Sequence, residues 1–292
     1  MRFEFIKDYR EEFSIEKMAR LLGVSRSGYY NFLDKGKSAR EVEDIQLKEQ
    51  IKNIHKKSRG VYGSPRVHNE LKRQGKRCSR KRVAKLMREE GIQAKMRKRW
   101  KKTTCVNEKA EPSANYLNQD FTTEEPNRVW VSDITYVWTE EGWLYLAIVM
   151  DLFSRRIIGL SMGERLHTDL VSKALKQALF SRGVKEGLMH HSDRGCQYTS
   201  KEFKELSSRY GVKLSMSGAG NCYDNAVAES FFHTLKTEHT NFYKYRIREE
   251  AKSSIFEYIE VFYNRQRAHS TVGYLSPEEF ENQWRNMAQN VA

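Results

Sequence analysis

The chain has 292 residues, enough for more than one domain, and carries 52 Lys and Arg against 38 Asp and Glu, a formal net charge of +14. It contains no apolar run of about 18 residues and no signal peptide, so neither a membrane span nor secretion is expected and the cytoplasm is the expected compartment. Its four cysteines, Cys78, Cys105, Cys196 and Cys222, form no Cys-x-x-Cys pair and suggest neither zinc nor a disulfide framework. The charge is uneven: residues 1–110 hold 31 Lys and Arg against 14 acids, a net of +17, and residues 111–292 hold 21 against 24, a net of −3. A front that neutralises phosphates and a back organised around a cation fit that asymmetry.

Residues 15–32 read as a helix-turn-helix, because Met18, Ala19, Leu22, Val24, Tyr29 and Phe32 have the spacing of two short helices packed across a turn at Gly23. Ser14 is the expected N-cap of the first helix, and Ser25 and Arg26 open the second and face DNA. Gly28 lies inside that second helix, where glycine costs about 1 kcal/mol relative to alanine. Residues 39–57 read as a connecting helix of mixed charge. A second helical pair follows, with Ser64 and Pro65 as N-cap and first helical residue, a turn at Gly75, Ser79 as the next cap and Gly91 as the stop. Arg66, Arg80, Lys81 and Arg82 belong to a dense basic block there, of a kind that grips phosphates more often than it reads bases. Arg97, Lys98, Arg99 and Trp100 lead into a polar, aperiodic stretch with Pro112 and Pro126. That basic start is expected to track DNA; Trp100 fits base stacking and ordinary packing equally well.

From residue 128 the pattern changes. Strands are expected at 129–137, 143–151, 156–162, 188–192 and 212–216, and helices at 168–182, 200–210 and 224–240. Three strands joined by short turns, followed by strands alternating with helices, imply a mixed five-stranded sheet with helices on its faces. A helix over about 248–262 follows, and Ser276 and Pro277 form another cap and first-turn pair. Between them, Arg265 and Arg267 fit DNA contacts or a surface charge cluster. The expected divisions are 1–38 and 39–96 for two DNA-binding helical modules, 97–127 for a basic and polar linker, 128–245 for a catalytic core and 246–292 for a helical extension.

Three acids stand out by context. Asp133 lies mid-strand among Val, Trp, Ile and Tyr, where burying a carboxylate is costly unless it is paired or bound to a metal. Asp193 falls where the fourth strand ends, and Glu229 lies on the late helix, 35 residues intervening. A strand, a strand end and a helix can converge on one point, and a few carboxylate oxygens suit a hard divalent ion that keeps positions open for water and phosphate. Two such ions about 3.5–4 Å apart promote an in-line displacement at phosphorus without a protein nucleophile. At about 100° per residue, Asn225, His233 and Lys236 share the helix face of Glu229, while Asp224 and Glu238 turn away. Asp151, ending the second strand, is expected in a supporting role. Most acids of any chain are solvated surface charge, so the mid-strand position of Asp133 carries most of this argument.

At Trp130-Val-Ser-Asp-Ile-Thr-Tyr136, His191-Ser-Asp-Arg-Gly-Cys-Gln-Tyr198, Asp224-Asn-Ala-Val-Ala-Glu-Ser-Phe-Phe232 with Lys236, and Tyr263-Asn-Arg-Gln-Arg267, the chain resembles bacterial insertion-sequence transposases of the DDE type. These are related to retroviral integrases, and the branch is the one whose downstream reading frame is called OrfB. With the basic front, the likeness covers nearly the whole chain. It implies an α/β ribonuclease H-like (integrase) catalytic core preceded by all-α helix-turn-helix modules, with Asp133, Asp193 and Glu229 binding two Mg²⁺ or Mn²⁺ ions. It further implies that Lys236 touches the element's end, that water opens a phosphodiester to free a 3′-OH, and that this hydroxyl attacks a second phosphodiester. The implied partners are double-stranded DNA, as terminal inverted repeats and as target, further copies of the chain in a multimer, and an upstream-frame (OrfA-type) protein or fusion. The implied setting is the bacterial cytoplasm, at the nucleoid.

Two other readings use part of the same pattern. A non-catalytic DNA-binding regulator of transposition would use the basic modules and leave the acids idle. A junction resolvase or RNA-strand nuclease on the same fold would use the acids and leave the basic modules unexplained.

Overall fold

The computed structural model describes residues 1–34, 38–95, 112–183, 187–218 and 224–291. Arg97, Lys98, Arg99 and Trp100 lie outside the described residues, as do Cys105 and Cys222.

Helices α1 (Arg2–Asp8), α2 (Ile15–Leu21) and α3 (Arg26–Asp34) enclose a small core of Ile6, Met18, Ala19 and Tyr29. Ser14 caps α2 by accepting from the Lys17 amide at 3.4 Å, and Ser25 caps α3 by accepting from the Gly28 amide at 3.0 Å. Helix α1 has no counterpart in the sequence reading, because Ile6 is its one buried residue and leaves no period to read. It also accounts for Gly28: a Cβ there would sit 3.2 Å from the Phe3 ring, so α1 packs where a side chain would stand.

Ser38 and Glu41 form a reciprocal capping box at the start of α4 (Ala39–Lys57). Helices α5 (Ser64–Arg73) and α6 (Arg80–Glu89) follow, with Gly75 and Gly91 in the left-handed region beyond their ends. Ser79 caps α6 as expected, but the start of α5 is corrected by one residue. Gly63 is the N-cap, and Ser64 is already helical, with Pro65 in the first turn, where no amide is needed.

The five strands are β1 (Val129–Thr139), β2 (Gly142–Asp151), β3 (Ile157–Gly163), β4 (Met189–Ser192) and β5 (Lys213–Met216), in the order β3-β2-β1-β4-β5. β1, β2 and β3 run antiparallel, whereas β1, β4 and β5 run parallel, which is the mixed sheet expected. Alternation along the strands divides the core. Trp130, Ala147, Val149 and Ile158 pack under α7 (Thr168–Arg182) and α9 (Lys201–Arg209), while Val131, Val137, Leu146 and Ile148 face α10 (Ala226–Glu238) and α11 (Arg248–Glu257). Gly159 lets α7 approach β3, since a Cβ there would lie 2.2 Å from the Ala174 carbonyl oxygen. Helix α11 continues as a π-helical turn (Tyr258–Tyr263), and α12 (Pro277–Val291) starts from a Ser276 and Glu279 capping pair.

The second basic module is not a separate body. Leu47, Ile51, Val67, Leu71, Val83 and Leu86 belong to the same apolar cluster as Phe231, Ile255 and Phe262. Polar contacts run along the seam: Tyr62 donates to the Gln266 carbonyl and accepts from the Ala268 amide, Arg59 pairs with Glu257 at 2.8 Å, and Arg73 pairs with Glu279 at 2.8 Å. The described half of the expected linker also lies on the core, where the Tyr116 and Leu117 amides donate to Ser215 Oγ on β5. At the centre of the seam, Arg267 is 3 % exposed and donates to both oxygens of Glu238 at 2.7 Å, while Tyr258 donates to the same carboxylate and Arg66 stands 3.5 Å away. Burial alone would depress the Arg267 guanidinium, but Glu238 more than reverses this and holds the arginine firmly charged. Removing one member of a buried pair strands the other. Arg267→Ala is therefore expected to lower the unfolding free energy by about 3–5 kcal/mol in chemical denaturation. Arg10→Ala, which removes an exposed pair with Glu11, should cost less than about 1 kcal/mol in the same measurement.

Candidate active site

β4 hydrogen-bonds to β1 only at Val129, Trp130 and Val131, so among the described residues no strand accompanies β1 on that side from Ser132 onward. The residue that starts α10 reaches that edge. The Asn225 side chain donates to the Ser132 carbonyl at 3.0 Å and ties the start of the helix to the strand next to Asp133. This corrects one expectation: Asn225 is 3 % exposed and anchors α10 instead of facing DNA. Just before it, the buried Asp224 accepts from Asn115, Gln119 and the Gly218 amide at 2.7–2.9 Å, which fixes the chain that leads into the helix.

The three acids approach from three elements. Asp133 pairs in register with Ile148 and so points to the α10 side of the sheet; its carboxylate accepts from the Ile134 amide at 2.8 Å. Asp193 follows the last residue of β4, and its carboxylate accepts from the Gly195 amide at 2.9 Å as the chain turns into α8 (Cys196–Thr199). Glu229 lies in the first turn of α10 and is exposed. Burial pushes the Asp133 carboxyl well above the usual range, and the negative charges of Asp193 and Glu229 push it further in the same direction, against the Ile134 amide and Lys236. Burial also raises Asp193, against the Gly195 amide. Lys236 is pulled down by burial and restored in part by Asp133, and its Nζ lies 5.2 Å from the centre of the Tyr136 ring. The residues singled out on β1, after β4 and along α10 thus share one electrostatic neighbourhood.

As hard oxygen donors whose charges oppose one another, these acids fit a divalent cation in kind. The arrangement is open: among the described residues, no three acidic, imidazole or thiol groups stand close enough to hold an ion as they are.

Asp151, expected in a supporting role, is fully buried, accepts from the Asn127 and Phe153 amides at 3.0 and 3.1 Å, and is pushed up to about 6 by burial. It shapes the β2–β3 turn. Of the residues expected at DNA, Arg80 and Lys81 are exposed at the start of α6, and Arg26 is exposed 3.5 Å from Glu16. The Ser25 hydroxyl is used as a cap. Arg82 is committed to Glu43 and Asp44 at 2.9 and 2.7 Å, joining α6 to α4, and Arg66 belongs to the Glu238 cluster. The anchoring roles of Asn225 and Asp224 escaped the sequence reading, since their partners lie 93 to 109 residues upstream or across a loop.

Comparison with known proteins follows the same outline. Residues 123–222 and 229–284 match two family models, each described as an integrase core domain, and residues 41–100 match one described as an HTH-like domain. The chain is 45 % identical over 271 residues to the insertion element IS600 uncharacterized 31 kDa protein of Shigella sonnei, covering 93 % of this chain and 100 % of that protein. It is 40 % identical over 284 residues to transposase InsF for insertion sequence IS3A of Escherichia coli (strain K12), covering 97 % and 99 %. A solved structure of the HTLV-2 integrase catalytic core domain in complex with magnesium overlaps 55 % of this chain and 99 % of its own, at 17 % identity and a TM-score of 0.43. On the extent and identity of the sequence matches, the chain belongs to the insertion-sequence transposase family of InsF and IS3, and its function is that of a DNA transposase with an integrase core and an HTH-like domain in front.

Proposed function

We propose that this transposase cuts and joins DNA at the ends of its insertion sequence, with Asp133, Asp193 and Glu229 as a DDE triad that holds two Mg²⁺ or Mn²⁺ ions. The observation that carries this reading is the pressure of Asp193 and Glu229 on Asp133, with Lys236 opposing it, at the vacant edge of β1. When bound, the ions would activate the attacking oxygen and stabilise the leaving one. The chain's own residues do the rest. Burial favours the protonated forms of Asp133 and Asp193, so protons compete with cations there and cation affinity is expected to rise with pH. Asn225 keeps the first turn of α10, and with it Glu229, beside Asp133. Lys236 presents its charge to a phosphate next to the reacting one.

Along the DNA, Arg26, Arg80 and Lys81 grip phosphates of the terminal repeats, and Arg97, Lys98, Arg99 and Trp100 extend that track toward the core. Arg66 and Arg82 act through the fold that presents them. Two element ends and a target demand several copies of the chain on DNA, with an upstream-frame protein as a further partner, in the bacterial cytoplasm at the nucleoid. Among the described residues no helix is long and apolar enough to cross a membrane.

Incubating the purified chain with a duplex that carries the element's terminal repeats and Mg²⁺ should yield strand joining, reduced by at least about 10²-fold in Glu229→Gln. Binding with no cleavage would favour the regulator, and cleavage confined to hybrids or junctions would favour the nuclease. A second expectation concerns pH. The folded-state carboxyl of Asp133 is raised, so its contribution to stability is complete below the unfolded value and is lost as pH rises through the folded one. Without cations, Asp133→Asn should therefore unfold at a higher temperature than the wild type at pH 8, by about 2–4 °C per kcal/mol relieved, and with a shallower pH dependence by calorimetry. Finally, Arg80→Ala and Lys81→Ala should each weaken duplex binding evenly across sequences and lower the log–log salt slope by about 1 in a fluorescence titration.

A further inference from the structure

On the sheet face that packs Trp130, Ala147 and Val149 under α7 and α9, the last rungs of β1 and β2 are aromatic, with Tyr136 opposite Tyr145 and Trp138 opposite Trp143. These rungs run on into solvent: Tyr136, Trp138 and Trp143 are 41 %, 58 % and 43 % exposed. Their rings meet edge-on, Trp143 lying 4.8 Å from both Tyr136 and Trp138, so each steadies the next. Cross-strand aromatic pairs also steady a hairpin, which accounts for the pairing and leaves the exposure of two tryptophans unexplained. The strip begins beside the acids. Tyr136 is three residues past Asp133 on β1 and Lys236 is seven past Glu229 on α10, each about 10 Å along its element. There the two side chains meet, with Lys236 Nζ 5.2 Å from the centre of the Tyr136 ring. Asp133 and Tyr136 point to opposite faces of the sheet, so this contact is made around the edge of β1 that no described strand accompanies. At the other end of the strip, the β1–β2 turn carries Glu140 and Glu141, both exposed. A cation at one end and acids at the other suit a strand whose phosphates stay by Lys236 while its bases extend over the rings.

We propose that Tyr136, Trp138 and Trp143 form a stacking strip for one or two unpaired bases of the DNA strand that passes the acids. The inference rests on the reading of Asp133, Asp193 and Glu229 as the reacting site. At about 3.4 Å per nucleotide, a separation of about 10 Å places those bases two or three nucleotides from the reacting phosphate. Bases stack on aromatic rings whatever their sequence, and each such contact changes affinity by about 5–100-fold. The rival occupant is a second copy of the chain. At their exposures the three rings offer roughly 200–350 Å², against about 800 Å² per partner in a stable interface, so the strip is too small for a copy and large enough for a base or two.

The test uses the full chain and two duplexes of the element's terminal repeat, one fully paired and one with its last three base pairs mismatched. Their length and charge are equal, so the phosphate contribution cancels in the ratio of their dissociation constants. The wild type should bind the mismatched duplex at least about fivefold more tightly, Trp138→Ala should bring the ratio close to unity, and Trp138→Phe, which keeps a ring, should retain most of it. A wild-type ratio near unity overturns the proposal, and so does a Trp138→Ala ratio equal to that of the wild type, even where both affinities fall together. If Trp138→Ala keeps the ratio but changes the oligomeric state in sedimentation, the strip belongs to a second copy. Strand joining by Glu229→Gln on the same duplexes reports on the acids separately. Joining at the wild-type rate sinks the reading of the acids and this inference with it, whereas lost joining beside a wild-type ratio in Trp138→Ala sinks the strip alone.

Discussion

Because β4 is four residues long and pairs with β1 only up to Val131, no strand among the described residues accompanies that edge of β1 from Ser132 until Tyr245 bridges Thr139, and the candidate site is built beside this gap. A vacant edge ordinarily invites pairing with another chain and has to be covered. Here the Asn225 side chain takes the Ser132 carbonyl on that edge, and the helix it starts, packed on the sheet face, carries Glu229 beside it. Asp133 lies two residues past the last paired position, and Asp193 is the first residue after β4.

The same edge concentrates negative charge in a place that disfavours it. Burial and mutual repulsion raise Asp133, and burial raises Asp193, while the balancing cation on the chain, Lys236, is itself depressed by its surroundings. Stability is surrendered locally and recovered elsewhere, in the doubly covered centre of β2 and in the seam around Glu238 and Arg267. Both ends of α10 are thereby tied down, Asn225 at the start and Glu238 in the last turn, so the helix is held in place even though the acid it presents is exposed.

How much of this was legible in the sequence depended on the range of the interaction. Strand alternation and helix caps are local, and β1 to β5, α7, α9 and the two helix-turn-helix pairs fall within a few residues of the positions read from the chain. Asp133 was legible because a lone acid among Val, Trp and Ile is anomalous at short range. Helical phase placed Lys236 correctly beside the acids but put Asn225 at the DNA, since phase gives direction around an axis and says nothing of what the axis lies against. Helix α10 begins at Ala226, so Asn225 is a cap against β1. Charge counting failed in a related way at Arg66 and Arg82, whose partners Glu238 and Glu43 with Asp44 lie at long range. A basic block in sequence divides in space into cations that face solvent and cations that hold helices together. The seam between the second module and the α11 region was invisible for the same reason, as its apolar residues had already been assigned to a helical pair of their own.

That seam bears on how such a protein could change over evolutionary time. Arg59, Tyr62, Arg66 and Arg73 on the basic side find their partners at Glu257, Gln266, Ala268, Glu238 and Glu279, scattered through the last 55 residues. The first helical trio, with its own small core, could be exchanged for another small helical unit by a single crossover ahead of α4. The second module could not, because its matching half is encoded beyond Glu229. Exchange is thus easiest at the extreme front of the chain, while the second module and the core are inherited together.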